Sequence, residues 1–275
     1  KLVFALLLGT ALSLAPVASA QNSAPPAAAK AEWTVGDFAT LPMMEAPALS
    51  PDGLHIASRA AINGVQMLVI ADIHEGPNRV RSLALGENDL NWWKWVNDDW
   101  LIAGIGNETT VEVMPWYLSR VVSVKRDGSK INSLAKNVAA QNADDVIWTA
   151  RDGSPRILLS YQTSIYYNQP GFWPKVDEID IATGKMRGVV PPRQHVRSWY
   201  ADASGIVRMG VGYNDAVRTA RLLYRPDAKS AFRTVDRADR RRNESLVVPW
   251  LFTADPAKAI ASDDRDGADA LYELD

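Results

Sequence analysis

The sequence contains no cysteine. That excludes disulfides, thiolate-bound metals and lipidated cysteine, so the fold rests on packing alone. Histidine is scarce: only His55, His74 and His195 are present to serve as a general base. The nucleophile elbow G-x-S-x-G does not occur in the 275 residues. There is no excess of basic charge. A formal net charge of −2 leaves none of the basic footprint of a nucleic-acid partner. No stretch carries a clear 3.6-residue apolar period, which argues against a helical core.

What is present is apolar material and tryptophan. The chain is 47% hydrophobic and 23% charged, an ordinary globular composition with enough for a sizeable core. Ten tryptophans are many, and Trp95, Trp100, Trp148 and Trp199 fall in or beside recurring turns, as wedges between packed sheets would. At the N-terminus, Lys1, an apolar run from Leu2 to Leu14, Pro16 and Ala18-Ser19-Ala20 read as a secretory signal peptide without its initiator Met. Cleavage is expected after Ala20. The run is short for a membrane span. Export without cysteine suits a periplasm, and no membrane association is expected after cleavage. Residues 21–32 are Ala/Pro-rich and read as a flexible leader.

The rest, 33–275, is organised by a repeat. Leu49-Ser50-Pro51-Asp52-Gly53 is a tight turn that feeds a strand: proline presets φ, the aspartate bonds nearby N–H groups, and glycine accepts positive φ. Related turns follow at Asp98, Asp152, Asp202 and Asp255, in steps of 46, 54, 50 and 53 residues. Leu49, Trp95, Trp148, Trp199 and Phe252 precede them. A period near fifty built of short strands is a propeller-blade signature.

Within the units the expected strands are His55–Ile62 and Val65–Asp72 about Asn63-Gly64, then Val80–Leu85 after a turn at 75–78. The second unit has Leu101–Ile105, Tyr117–Lys125 and Lys130–Leu134. The third has Ile157–Tyr161, Val176–Ile181 and Lys185–Val190. The fourth has Ile206–Tyr213, Ala220–Arg225 and Phe232–Val235. The fifth has Ala257–Ser262 and Ala270–Leu274 around an Asp263–Gly267 turn. The expectation is an all-β, partial β-propeller of about four and a half four-stranded blades. On this reading the chain is a fragment, cut before ring closure.

Several phrases carry a resemblance. They are Leu49-Ser50-Pro51-Asp52-Gly53, Trp95-x-Asn97-Asp98-Asp99-x-Leu101, Val176-Asp177-Glu178-Ile179-Asp180-Ile181-Ala182-Thr183-Gly184, Trp199-x-Ala201-Asp202-x-x-Gly205-x-Val207-Arg208 and Asp266-Gly267-x-x-Ala270-Leu271-Tyr272-x-Leu274-Asp275. In order and spacing the chain resembles the N-terminal propeller of secreted bacterial serine peptidases. The family is that of prolyl oligopeptidase, in its dipeptidyl-aminopeptidase/acylaminoacyl-peptidase branch. The resemblance implies a C-terminal α/β-hydrolase domain that carries a Ser-Asp-His triad and hydrolyses peptides. The propeller would pack on it and filter substrate. No triad residue carries over, so no catalytic residue, metal ligand or cofactor is assigned, and the chain alone is expected to be catalytically silent. The alternatives are a non-enzymatic periplasmic propeller that scaffolds other proteins and a carbohydrate-active propeller.

Other constellations read as structural. Ser262-Asp263-Asp264-Arg265-Asp266-Gly267 with Glu273 mimics calcium-loop spacing, but its flanks are strands, which favours a solvated hairpin. Arg237-Ala238-Asp239-Arg240-Arg241-Arg242 reads as a blade-to-blade connector balanced by nearby acids. Gly104-Ile105-Gly106 lacks a third glycine and a following helix, and reads as a strand end. Tyr161, Tyr166, Tyr167 and Trp173 surround Asn168-Gln169-Pro170-Gly171, a rim loop that packs on a neighbouring blade or touches a peptide. The carboxylate pairs Asp98-Asp99, Asp144-Asp145 and Asp177-Glu178 are sequence neighbours whose side chains should diverge, whereas a glycosidase needs two facing one pocket.

Overall fold

The computed structural model describes residues 34–36, 44–75, 80–136, 141–253, 255, 257–265 and 267–274. The expected signal peptide and leader, the turn at 75–78 beyond Glu75, and Asp266 and Asp275 lie outside them. Residues 41–275 pack as one compact unit, made of consecutive antiparallel sheets in which each strand pairs with the next in sequence.

The first sheet is β1 (Met44–Leu49), β2 (His55–Ile62), β3 (Val65–Asp72) and β4 (Arg81–Leu83). The second is β5 (Asp89–Trp95), β6 (Trp100–Val111), β7 (Met114–Lys125) and β8 (Ile131–Ser133). The third is β9 (Asp145–Thr149), β10 (Arg156–Tyr161), β11 (Lys175–Asp180) and β12 (Lys185–Val190). The fourth is β13 (Val196–Ala201), β14 (Val207–Asn214), β15 (Thr219–Tyr224) and β16 (Arg233–Asp239). The fifth has three described strands, β17 (Pro249–Phe252), β18 (Ala259–Arg265) and β19 (Ala268–Leu274). These are the blades of a partial β-propeller.

Local chemistry accounts for the hairpins. Asn63 and Gly64 both take positive φ (53° and 78°), and Ile62 pairs with Val65 across them, the twist a two-residue hairpin needs. The second sheet departs from expectation. Its central hairpin runs out to a Val111–Met114 pair, so β6 and β7 are 12 residues each. The turn there is Glu112-Val113, at φ 48° and 65°, with neither glycine nor asparagine to announce it. Gly104 and Gly106 lie inside β6 and do not end it. Trp92 crosses over Gly104, its strand partner, so closely that a Cβ would fall 2.1 Å from the indole Nε1. Trp199 covers Gly210 in the same way in the fourth sheet.

The fifth sheet also differs. Asp263 and Asp264 belong to β18 and pair with Ala270 and Asp269 of β19. The pairing of the two strands runs on to Arg265 and Ala268. Part of the expected basic connector is strand, since Arg237 lies in β16, and Arg240–Arg242 form a 3-10 turn capped by Asp239.

Packing is between sheets. In β6, Leu101 and Ala103 join a buried cluster with Ala57, Leu68 and Ile70 of the first sheet, while Ile102 joins Ile157, Leu159 and Ile179 of the third. In β10, Leu158 faces the fourth sheet and its neighbours face the second. Alternation along a strand thus serves two interfaces at once, and both faces of these strands are apolar.

Tryptophans bridge the same seams. The indole N–H groups of Trp95, Trp148 and Trp199 donate to Ala48 O (2.9 Å), Ala203 O (3.0 Å) and Pro174 O (2.8 Å), each on an adjacent sheet or its turn. Leu49, at the equivalent place in the first sheet, is exposed.

The repeat turns share one device. The side-chain oxygens of Asp52, Asp152, Asp202 and Asp255 each accept the backbone N–H two residues on. In the second turn Asn97 does this, with Asp99 N–H as donor, so the structural repeat sits one residue before Asp98. Asp98 instead accepts the N–H of Asp52, and Asn97 donates to Gly153 O, which links three successive turns.

Candidate functional site

Two adjoining clefts open along the first strands of the later sheets. One, of about 390 Å³, is lined by β9, β13 and β17, including Asp145, Ser198, Tyr200, Trp250 and Leu251. The other, of about 350 Å³, is lined by Asp145, Ser160, Gln162, Phe172, Trp173 and Arg197 among others. Both volumes lie within the usual range of small-molecule pockets. Asp145 borders both clefts.

The Asp144-Asp145 pair diverges. Asp144 turns to the second sheet, where it accepts from Trp92 Nε1 (3.0 Å) and Ser119 Oγ (2.5 Å). Asp145 faces the clefts. It keeps surface open to solvent, but the protein packed around its carboxyl makes the charged form costly. That burial, with the charge of Asp144 added and the Ser160 hydroxyl opposing, pushes Asp145 up to about 6. Across the cleft, Tyr200 is also shifted up, first by burial and then by the Asp145 charge. Arg197 is directed elsewhere: it pairs with Asp215 at 2.9 Å and lies over the Trp173 ring.

The other carboxylate pairs also part. Asp98 caps a neighbouring turn, while Asp99 meets Arg126 at 3.3 Å. Asp177 is buried, 2.5 Å from the Tyr161 hydroxyl that donates to it and 2.8 Å from Lys175. Burial, then this carboxylate, pushes Tyr161 up to about 12. Glu178 faces Arg187 and Arg156.

The three histidines occupy different settings. His55 begins β2, 3.6 Å from both Asp52 and Asp72, with Arg126 Nη1 3.0 Å from its Nε2. Ser50 is close by, so serine, histidine and aspartate gather here. The Ser50 hydroxyl nevertheless donates to Asp52 at 2.5 Å and bonds backbone at His55, not the imidazole. That is not the hydrogen-bond order of a triad, in which histidine takes the serine proton. His74 is exposed in a bend after β3. His195 sits at φ 67° with its ring 5.1 Å from that of Trp173.

The aromatic rim loop divides. Tyr161 and Trp173 are buried, whereas Tyr166 and Tyr167 are exposed. Tyr167 and Phe172 each meet Trp173 edge-on, at 5.3 and 5.1 Å, and lie tilted to one another at 5.2 Å, and Tyr166 reaches the second sheet's long hairpin through Glu112. In the fifth sheet Glu273 pairs with Lys258, and no group of three or more His, Asp or Glu side chains among the described residues could hold a metal ion.

Sequence reasoning missed Asp145, Tyr200, Trp250 and Leu251 as one constellation. They lie on three strands, with Asp145 and Leu251 more than a hundred residues apart. The available signal was that Asp145, Tyr200 and Trp250 fall just ahead of three successive repeat turns.

No protein-family model matches the chain, and no curated protein matches it by sequence. Its fold is similar to several solved structures. The β-propeller domain of the Trilobed protease from Pyrococcus furiosus is 17% identical with a TM-score of 0.50, covering 85% of this chain and 67% of that one. Acylaminoacyl peptidase from Pyrococcus horikoshii is 14% identical with a TM-score of 0.51, covering 86% and 38%. Oligogalacturonate lyase from Vibrio parahaemolyticus is 12% identical with a TM-score of 0.52, covering 85% and 67%. The chain thus spans between about a third and two thirds of the length of these proteins. At such identities the likeness establishes the β-propeller fold alone.

Proposed function

We propose that the chain is the non-catalytic propeller portion of an exported serine peptidase of the prolyl oligopeptidase family, which restricts access of peptides to an α/β-hydrolase domain. The observation that carries this reading is the coincidence of the five turn phrases, in order, with five successive blades of a fold shared with peptidase propellers. Around His55, serine, histidine and aspartate gather without triad order. Acyl transfer by Ser attack, with His as base, Asp as its orienter and a backbone oxyanion hole, belongs to the partner domain.

The test is the reading frame around the encoding sequence. A G-x-S-x-G strand–turn–helix continuous with the propeller supports the reading. A frame that closes the ring and carries no hydrolase domain overturns it in favour of a protein-binding scaffold. The 275-residue chain itself is expected to leave acylated peptide anilides uncleaved. Export is tested by N-terminal sequencing of the mature protein, which should begin at Gln21.

The likeness to oligogalacturonate lyase favours a second reading, a carbohydrate-active propeller. The clefts speak against an acidic sugar: their central group is a carboxylate, and Arg197 is engaged by Asp215. Binding of oligogalacturonate by the chain would reverse that judgement.

A further inference from the structure

We infer that the groove along β9, β13 and β17, centred on Asp145, is a binding site for the basic side chain of an extended peptide. The inference deepens the peptidase reading and rests on it. Asp145 stands where the two clefts meet. Among the described residues no lysine or arginine forms an ion pair with it. Its hydrogen-bond support comes from Ser160, and the nearest charge acting on it is another carboxylate, Asp144. Asp145 is exposed at the cleft and has no counter-ion from the chain, so a cation supplied from outside would gain a partner that the chain does not provide.

The walls suit the rest of such a side chain. Tyr200 flanks the carboxylate, and Trp250 and Leu251 are 63% and 54% exposed on the same cleft. Aromatic faces attract ammonium and guanidinium groups, and the methylene stem of lysine or arginine covers apolar surface. Arg197 lines the second cleft but its charge is met by Asp215, so the cleft's uncompensated charge is negative.

The charge is also conditional. The groups around it are Asp144 on the chain segment entering β9, Ser160 and Tyr161 on β10, and Arg197 and Tyr200 on β13. Of these Asp145 has a carboxyl poised at about 6. Binding of a cation should therefore weaken as pH falls through that value, and a bound cation should lower it in return.

The test uses the full 275-residue chain and three short peptides, Ac-Ala-Lys-Ala-NH2, its norleucine counterpart, and the same norleucine peptide with a free amino terminus. Binding is followed by calorimetry and by tryptophan fluorescence at pH 7.5 and pH 5. The lysine peptide is expected to bind at least about tenfold more tightly than the capped norleucine peptide at pH 7.5, and to lose most of that advantage at pH 5. Asp145→Asn, checked for folding by circular dichroism, is expected to abolish the advantage and its pH dependence. Should that variant not fold, carboxyl titration of the unmutated chain by NMR replaces it, and lysine peptide should lower the Asp145 midpoint. Equal binding of the two capped peptides, or an Asp145→Asn chain that still prefers lysine, overturns the inference while leaving the peptidase reading to the reading-frame test. Preference for the free amino terminus over lysine also overturns it, since the site would then take a chain end.

Discussion

The seam between the second and third sheets and the seam between the fourth and fifth are made of the same kind of strand, yet they are filled differently. The first gathers twelve buried residues, from Val96 and Trp100 to Ile179 and Ile181. The second gathers four among the described residues, Met209, Leu222, Phe252 and Ala259. At the first, Trp92 reaches across and donates to Asp144, which closes the strand entrance. At the second, Trp250 and Leu251 remain exposed and a cleft of about 390 Å³ opens beside them. A blade seam can therefore be a wall or a groove, according to whether the large residue of the first strand turns inward or outward.

If the open seam is a groove and not a weakness, the fourth blade must be held from within. The buried pair Asp202–Arg208, at 2.5 Å, does this, with the guanidinium also bonded to Pro226 O. Asp202→Ala should cost about 3–5 kcal/mol in urea unfolding, because it leaves a buried cation unpaired. Burial alone would raise the Asp202 carboxyl, but Ser204, the Ile206 N–H and Arg208 outweigh it and hold the group low. A lowered carboxylate contributes stability above the ordinary aspartate range, and that contribution is lost as pH falls through the folded-state value. A mutant as stable as the parent at pH 7 would remove this pair from the account.

The seams themselves are compared by truncation. Ile179→Ala, in the filled seam, should cost about 2–5 kcal/mol, and Met209→Ala, beside the cleft, should fall at the low end of that range. Equal losses would mean that the two seams are mechanically alike. Gly104→Ala should cost about 1–3 kcal/mol by forcing Trp92 off its strand partner and loosening its bond to Asp144. Retention of the Trp92 fluorescence environment in that variant would contradict the close approach.

The smallest effect is expected at Asp145. Its folded-state carboxyl is raised, so the contribution of this one group is most favourable at low pH and declines as pH rises from the ordinary aspartate range to about 6. Asp145→Asn should therefore raise the melting temperature modestly at pH 7.5 and leave it unchanged near pH 4. A loss of stability at pH 7.5 would show that the carboxylate is satisfied within the fold.

Much of the blade pattern was legible because its determinants are local. Asn63-Gly64 specifies a hairpin by its own φ preferences, and β2, β3 and β12 fall at the expected residues. Where the determinant is not local, reading failed. The β6–β7 hairpin extends through Glu112-Val113, residues with no intrinsic liking for positive φ, held there by the pairing on either side. Asn97 and Asp98 have the same capping chemistry, so residue type could not say which closes the second turn. The glycines of β6 read as breakers because the indole above Gly104 comes from another strand.

Residue order alone determined that this is a chain of repeated antiparallel units, since turns and alternation act over a few positions. Only tertiary structure decided that Asp144 is consumed by Trp92 and Ser119 while Asp145 is left facing a cleft. The two carboxylates are chemically identical neighbours. What separates them is the side of the strand each takes and which sheet lies there, and neither is written within a few residues of either one.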